Sequence, residues 1–394
     1  MTSTKRNVGL LAACQALLFT NNSTLIAING LAGLALAPHV GLATLPVTCW
    51  VLGGAIGTMP ASLHMKRVGR QRGLSTGTLW GIVGALICAG AIWAQSFWLL
   101  CFGTLVFGVY NAYGQYYRFA AADVASADFK AIAISLVLAG GLVGGIVGPT
   151  SSRWTIDLLG TKFMGAYLVL IGFAVMTMLL LRLIRIPTPS AAEQSATGRP
   201  LREIAAQPKF IVAVLAGAIG YGVMNFLMTS TPIAMQVCGH PYGDAAFVIS
   251  SHIIGMFAPS FVTGRLIRRL GVLPVLFAGA LLNFAAIGIA LSGIGVAQFW
   301  WALVILGVGW NFLYLGGTTL LTETYRPEER ARAQGTNEQA IFIMMTISSL
   351  SSGLTVTTAG WERVNLFALP LVAVVAIAIV WYALRERAHK AAAA

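Results

Sequence analysis

Read for hydrophobicity alone, the chain alternates long apolar runs with short polar breaks. A hydrocarbon core about 30 Å thick takes about 20 mainly apolar residues per helical crossing. Runs of that kind fall at 8–36, 41–63, 74–94, 97–119, 131–154 and 164–183. A second set falls at 210–236, 246–266, 272–292, 297–320, 336–358 and 364–384. None shows the two-residue alternation of a membrane strand. The pattern predicts an all-α polytopic membrane protein with twelve transmembrane helices in two six-helix halves. Residues 185–208, rich in Pro, Ser, Ala and charge, read as a linker. The expected organisation is an N-terminal half 1–184, a cytoplasmic linker 185–208 and a C-terminal half 209–394.

Composition agrees and excludes other classes. The 394 residues are 57% apolar and 9% charged, with mean hydropathy +0.81 and 44 glycines. Soluble domains carry about 25% charged residues to solvate their surfaces. A soluble enzyme, a secreted module and a disordered scaffold are thereby excluded, and lipid is the expected surrounding partner. The net charge of +13 points to topology rather than nucleic acid, because the basic residues sit in short loops. Of 25 Lys and Arg, all but Arg153, Lys162 and Arg363 fall on the side of the two termini and the even-numbered loops. The positive-inside rule places both termini in the cytoplasm. Lys5 and Arg6 precede the first run without a small-residue cleavage site, so that run reads as a membrane helix rather than a removed signal. Five cysteines, mostly within apolar runs, make no disulfide framework.

The halves echo one another. A constant shift of 202 residues superposes Arg67 on Arg269, Gly69 on Gly271 and Lys130 on Arg332. Two six-helix repeats with a basic loop after the second helix of each resemble the major facilitator superfamily across the whole chain. The fifth run carries Gly140-Gly141, Gly144-Gly145 and Gly148-Pro149, similar to the glycine-proline motif of many proton-coupled antiporters, although helix packing alone accounts for such a run. The chain departs from the family's loop motif, since His64 and Met65 stand where an acidic residue is usual. The resemblance implies a transporter working by alternating access around a midplane site, and not an enzyme.

Candidate chemistry narrows this expectation. Acidic residues avoid the span centres: Glu323 and Glu338 fall near cytoplasmic ends, and His252 is the one histidine inside a span. Two i, i+4 pairs stand out, Met224 with Met228 in the seventh run and His252 with Met256 in the eighth. Each pair shares one helical face, about 6 Å apart along the axis. If the two helices are antiparallel neighbours, Met224 faces Met256 near the midplane and Met228 faces His252 further out. Thioether and imidazole are neutral, soft ligands that suit copper; packing methionine is the bland alternative.

The M-x-x-x-M and H-x-x-x-M pairs on consecutive helices resemble the CcoA-type copper importers of the superfamily. That resemblance implies metal roles for Met224, Met228, His252 and Met256, and functional cysteines at Cys49 and Cys238. It implies copper as transported substrate, no enzymatic cofactor, and a role in supplying copper for cytochrome oxidase assembly in the bacterial inner membrane. Copper chaperones or reductants stay open as partners. The related riboflavin transporters lack the methionine and histidine pairs, which argues against that cargo. Met235, Cys238 and His240 cluster after the seventh run as a candidate entrance, and Cys49 is expected to approach Cys238. Cys14, Cys88 and Cys101 read as packing. Asn21, Asn22, Asn111, Gln115, Asn225, Trp310, Asn311 and Tyr314 read as interhelical hydrogen-bonding groups or cavity lining. Arg118 and Glu323 are expected to pair as an inner gate. The alternatives are a proton-coupled exporter of a small organic solute or drug, a riboflavin-type importer of the same family, and a metal sensor on a transporter fold.

Overall fold

The computed structural model describes residues 3–39, 42–186 and 198–393. Among the described residues every regular element is helical. The first six spanning helices are α1 (Ser3–Leu36), α2 (Leu45–Val68), α3 (Arg70–Trp93), α4 (Phe97–Gly114), α5 (Ala127–Thr155) and α6 (Met164–Arg182). A short helix, Tyr117–Val124, extends α4. The next four are α7 (Pro208–Val237), α8 (Tyr242–Phe257), α9 (Val272–Leu291) and α10 (Val296–Leu321), with Ser260–Leu270 continuing α8 beyond Pro259. The last helix, Arg330–Ala393, breaks at Gly360, where φ is 79°, into α11 (330–359) and α12 (361–393).

Among the described residues ten helices are long and apolar enough to cross a membrane, and the longest of them holds both α11 and α12. The remaining span is α2, whose hydropathy is diluted by Pro46, Gly53, Gly54, Gly57 and Pro60. The twelve expected spans are all present, most of them longer than their apolar runs. Hydropathy marks only the hydrocarbon stretch, whereas helical hydrogen bonding continues through charged interfacial turns such as Lys66-Arg67. The chain is a multi-pass membrane protein.

The internal repeat has a backbone signature. Gly69 (φ 87°, ψ 160°) divides α2 from α3, and Gly271 (φ 88°, ψ 164°) divides the Ser260–Leu270 helix from α9. This left-handed conformation favours glycine and lets one helix follow another without a loop.

The residues gather into two compact units. The first holds Met1–Ala127, Leu136–Ala196 and Gln334–Phe342; the second holds Asp128–Ser135, Thr197–Ala333 and Ile343–Ala394. In the first unit α4 packs most extensively on α2 and α3. The glycine run of α5 serves close packing on α1: a Cβ on Gly148 would lie 2.5 Å from the Cβ of Ser23, and Gly140 and Gly144 meet Ala12 and Phe19. In the second unit α10 is the common neighbour of α7, α8 and α9.

Residues 187–197 of the expected linker lie outside the described residues. The rest is more structured than a plain linker. Leu201–Ala205 forms a helical turn, and Arg199 is fastened to Glu329 through Nε and Nη2, both at 2.7 Å.

Candidate functional site

His252 sits fully buried in α8, seven residues before the break at Pro259. Its Nδ1 lies 2.6 Å from the carbonyl oxygen of Leu303 in α10. A carbonyl only accepts, so Nδ1 carries the proton and Nε2 carries the lone pair. Nε2 is buried and has no hydrogen-bond partner among the described residues. A metal-ligating histidine is prepared in this way, one nitrogen donating to a carbonyl and the other free to ligate.

The surroundings follow from small residues on α10. A Cβ on Gly307 would fall 2.8 Å from both the carbonyl oxygen of His252 and the amide nitrogen of Met256. Asn311, one turn on, donates to the Met256 carbonyl at 2.7 Å and accepts from Thr263 at 2.8 Å. On the other side a Cβ on Gly317 would lie 2.9 Å from the Ala213 carbonyl of α7, and one on Gly220 would lie 3.1 Å from Leu313. Glycine at these positions brings both α7 and α8 against the α10 backbone. Met224, one turn after Gly220, continues that face and is buried, as is Met256; Met228 is half-buried.

α7 and α8 are in contact with one another, as expected of consecutive helices. Both helices pack far more extensively on α10 than on each other. Sequence succession fixes which helices are joined by a short turn, but the narrow faces on α10 decide which ones pack most extensively. The Met224–Met228 and His252–Met256 pairs therefore lie on two helices that both pack chiefly on α10.

An aromatic cluster grows from the same three helices. Trp310 and Tyr314 of α10 stack at 4.8 Å between ring centroids. Tyr221 of α7 meets both edge-on, at 5.3 and 5.4 Å, and Phe257 of α8 meets Trp310 at 5.7 Å. The indole nitrogen of Trp310 is buried with no protein partner. Trp310 and Tyr314 were among the residues that the sequence offered as interhelical hydrogen-bonding groups or cavity lining. Tyr221 and Phe257 carried no comparable signal, because only the packing of α7 and α8 on α10 brings them there.

The candidate entrance is only partly open. Met235 is fully buried, Cys238 caps α7 half-buried, and His240 is half-buried with Nε2 2.6 Å from the Ile294 carbonyl and its ring edge-on to Phe299. His240 thus stands against the turn between α9 and α10 rather than freely in a loop. Cys49, in the first unit, has the Cys101 side chain of α4 close enough to act on it electrostatically. Its sulfur partner within that unit is the cysteine that sequence reasoning assigned to packing.

The expected gate pair is also corrected. In the first unit Arg118 Nη2 bonds Glu338 Oε1 at 2.5 Å, with side-chain exposures of 2% and 0%. In the second unit Glu323 bonds Lys209 at 2.8 Å, with both groups substantially exposed. Glu338 therefore holds a place in the interior rather than at a wetted helix end, and the structure gives Arg118 and Glu323 different partners. Gln115 supports Arg118 through its carbonyl at 2.9 Å, and Asn111 links Gln115 to Asn22. These groups form a hydrogen-bonded chain through the first unit, and among the described residues Asn22 Oδ1 has no hydrogen-bond partner.

Twelve apolar helices with buried polar groups among them make a polytopic membrane protein. The sequence profile of the Major Facilitator Superfamily matches residues 11–335 and 248–394, and the chain belongs to that family. It is 41% identical over 385 residues to the riboflavin transporter RfnT of Brucella anthropi, covering 96% of each chain. It is 28% identical over 361 residues to the uncharacterised facilitator-type transporter YddS of Bacillus subtilis, covering 86% of this chain and 82% of the other. Among solved structures the fold is shared with the facilitator FucP in its outward conformation (TM-score 0.81, 17% identity, 96% of this chain and 99% of the other). It is shared also with a bacterial homologue of the iron transporter ferroportin (TM-score 0.74, 13% identity, 95% and 99%).

Proposed function

We propose that this transporter carries riboflavin into the cell across a bacterial inner membrane. The observation that carries the reading is the 41% identity to RfnT, extended over 96% of both chains. It favours the riboflavin alternative over copper import. The site chemistry supports it. Riboflavin pairs a flat, partly apolar ring system with a pyrimidine edge rich in donors and acceptors. Tyr221, Trp310 and Tyr314 are groups on which such a ring packs, edge-on or stacked. Both termini on the cytoplasmic face follow from the positive-inside count. The test is uptake of labelled riboflavin in a riboflavin-auxotrophic strain expressing the chain. Growth rescue at low external riboflavin supports the reading, and absence of uptake by a protein present in the membrane overturns it.

Copper import is the second reading, favoured by one specific observation: the fully buried His252 with its protonated nitrogen on Leu303 and its lone pair unpartnered. Substrate is set by a few side chains on a shared fold, so whole-chain identity does not decide between cargoes. Met224 and Met256 are buried beside α10 and would supply neutral thioether ligands without adding a desolvated anion. Uptake of radiolabelled copper in the same cells separates the readings, because each cargo is measured on one protein.

A further inference from the structure

Cys49 and Cys101 each occupy the fifth position of a helix, α2 from Leu45 and α4 from Phe97. The two helices lie in close contact, and their register is read from two rungs. Gly53 meets the backbone of Leu105, and a Cβ on Gly57 would lie 3.2 Å from the Cα of Val109. Both rungs join residues 52 positions apart and rise together, so the helices run parallel. One turn before Gly53 and Leu105 the same register sets Cys49 opposite Cys101, again 52 positions apart. The two side chains are close enough to act on one another electrostatically. Cys88 of α3 stands on the far side of α4: a Cβ on Gly103 would lie 2.7 Å from its sulfur. Cys101 and Cys88 are buried and Cys49 is half-buried, so the pair has one face toward the surroundings.

We propose that Cys49 and Cys101 form a two-sulfur site for a soft monovalent cation of the Cu(I) and Ag(I) class. Sulfur ligands select such ions over Na⁺, K⁺ and divalent oxygen-seeking cations. Charge balance fits a membrane interior, where an uncompensated charge is expensive. One thiol releases its proton and bonds the ion as thiolate; the other remains protonated and donates a sulfur lone pair. Two metal–sulfur bonds form, one S–H bond breaks, no oxidation state changes, and the complex is neutral. Half-buried Cys49 is the side by which the proton leaves and the ion enters. The site is independent of both cargo readings, since a riboflavin carrier with this pair would bind silver equally well.

The test uses full-length protein purified in detergent with Cys238→Ser, so that Cys49 is the half-buried thiol that remains. Ag(I) is titrated against labelling by N-ethylmaleimide, and the label on Cys49 is read by mass spectrometry. Near-stoichiometric Ag(I) protects Cys49, and K⁺ at the same concentration does not. Cys101→Ala raises the Ag(I) needed for half protection at least tenfold, whereas Cys88→Ala changes it less than threefold. Cys101→Val restores side-chain volume and gives the same loss if the alanine variant packs poorly. Unchanged protection in both Cys101 variants, or no protection in the parent, overturns the site.

Discussion

The ring of His252 in α8 holds its Nδ1 2.6 Å from the Leu303 carbonyl of α10, leaving a buried nitrogen lone pair that no protein group uses. An unpartnered buried polar atom costs about 1–3 kcal/mol. The fold tolerates that cost where α8 packs on α10, one turn before buried Met256.

The lone pair separates the two cargoes. His252→Leu removes both ring nitrogens at similar volume and leaves the helical carbonyl of Leu303 with its backbone partner. Under the copper reading, radiolabelled copper uptake falls more than tenfold while protein in the membrane stays within twofold of wild type. Under the riboflavin reading, riboflavin uptake by the same variant stays within about threefold. Copper uptake at the wild-type rate removes His252 from any metal path.

The aromatic cluster answers the complementary question. Tyr221→Leu takes away a ring that meets Trp310 and Tyr314 at 5.3 and 5.4 Å, while Tyr221→Phe keeps it. An aromatic contact contributes about 0.5–1.5 kcal/mol beyond burial. For a riboflavin carrier, Tyr221→Leu raises the half-saturating riboflavin concentration several-fold and Tyr221→Phe restores it. Equal effects of the two variants on riboflavin uptake assign the ring to packing alone.

Hydropathy and charge count made the twelve spans legible, because both are properties of contiguous sequence. The repeat was legible too: the 202-residue shift from Gly69 to Gly271 reappears as one shared backbone conformation. His252 was conspicuous as the one histidine within a span. Its partner was not, since a main-chain carbonyl has no sequence mark and Leu303 looks like any other leucine. Pairings across the bundle were the weak point. Arg118 was matched to Glu323 by expected depth, whereas Glu338 holds that place within the first unit. Depth along a helix can be counted from sequence, but which face meets which neighbour is set by small residues such as Gly53 and Gly307, whose use appears only on packing.

Two glycine substitutions should act in opposite directions. A Cβ on Gly144 would lie 2.6 Å from the Thr20 amide nitrogen of α1, whereas one on Gly172 of α6 meets nothing within 4 Å. Overpacking at a tight helix contact costs about 1–3 kcal/mol. Replacing an uncrowded helical glycine by alanine gains about 1 kcal/mol. Gly144→Ala should therefore lower the melting temperature in detergent and Gly172→Ala raise it slightly. A fall with Gly172→Ala as large as with Gly144→Ala contradicts the packing of α5 on α1.

The last prediction ranks two carboxylates. Glu338 is 0% exposed and bonded to Arg118, which is 2% exposed, while Glu323 and Lys209 are 46% and 32% exposed. An exposed pair is screened by solvent and contributes about 0–1 kcal/mol. Breaking a buried pair costs about 3–5 kcal/mol, because the remaining charge is left uncompensated in a low-dielectric interior. Glu338→Gln leaves Arg118 as that charge, so its melting temperature should drop well below that of Glu323→Gln. Removing both partners takes away the stranded charge, so Arg118→Met with Glu338→Met should recover much of the loss. Melting curves of the four proteins, read by intrinsic fluorescence, decide the matter. If Glu323→Gln destabilises as much as Glu338→Gln, the gate pair expected from sequence regains its standing. If the double variant is no better than Glu338→Gln, the cost lies in lost packing rather than in an unpaired charge.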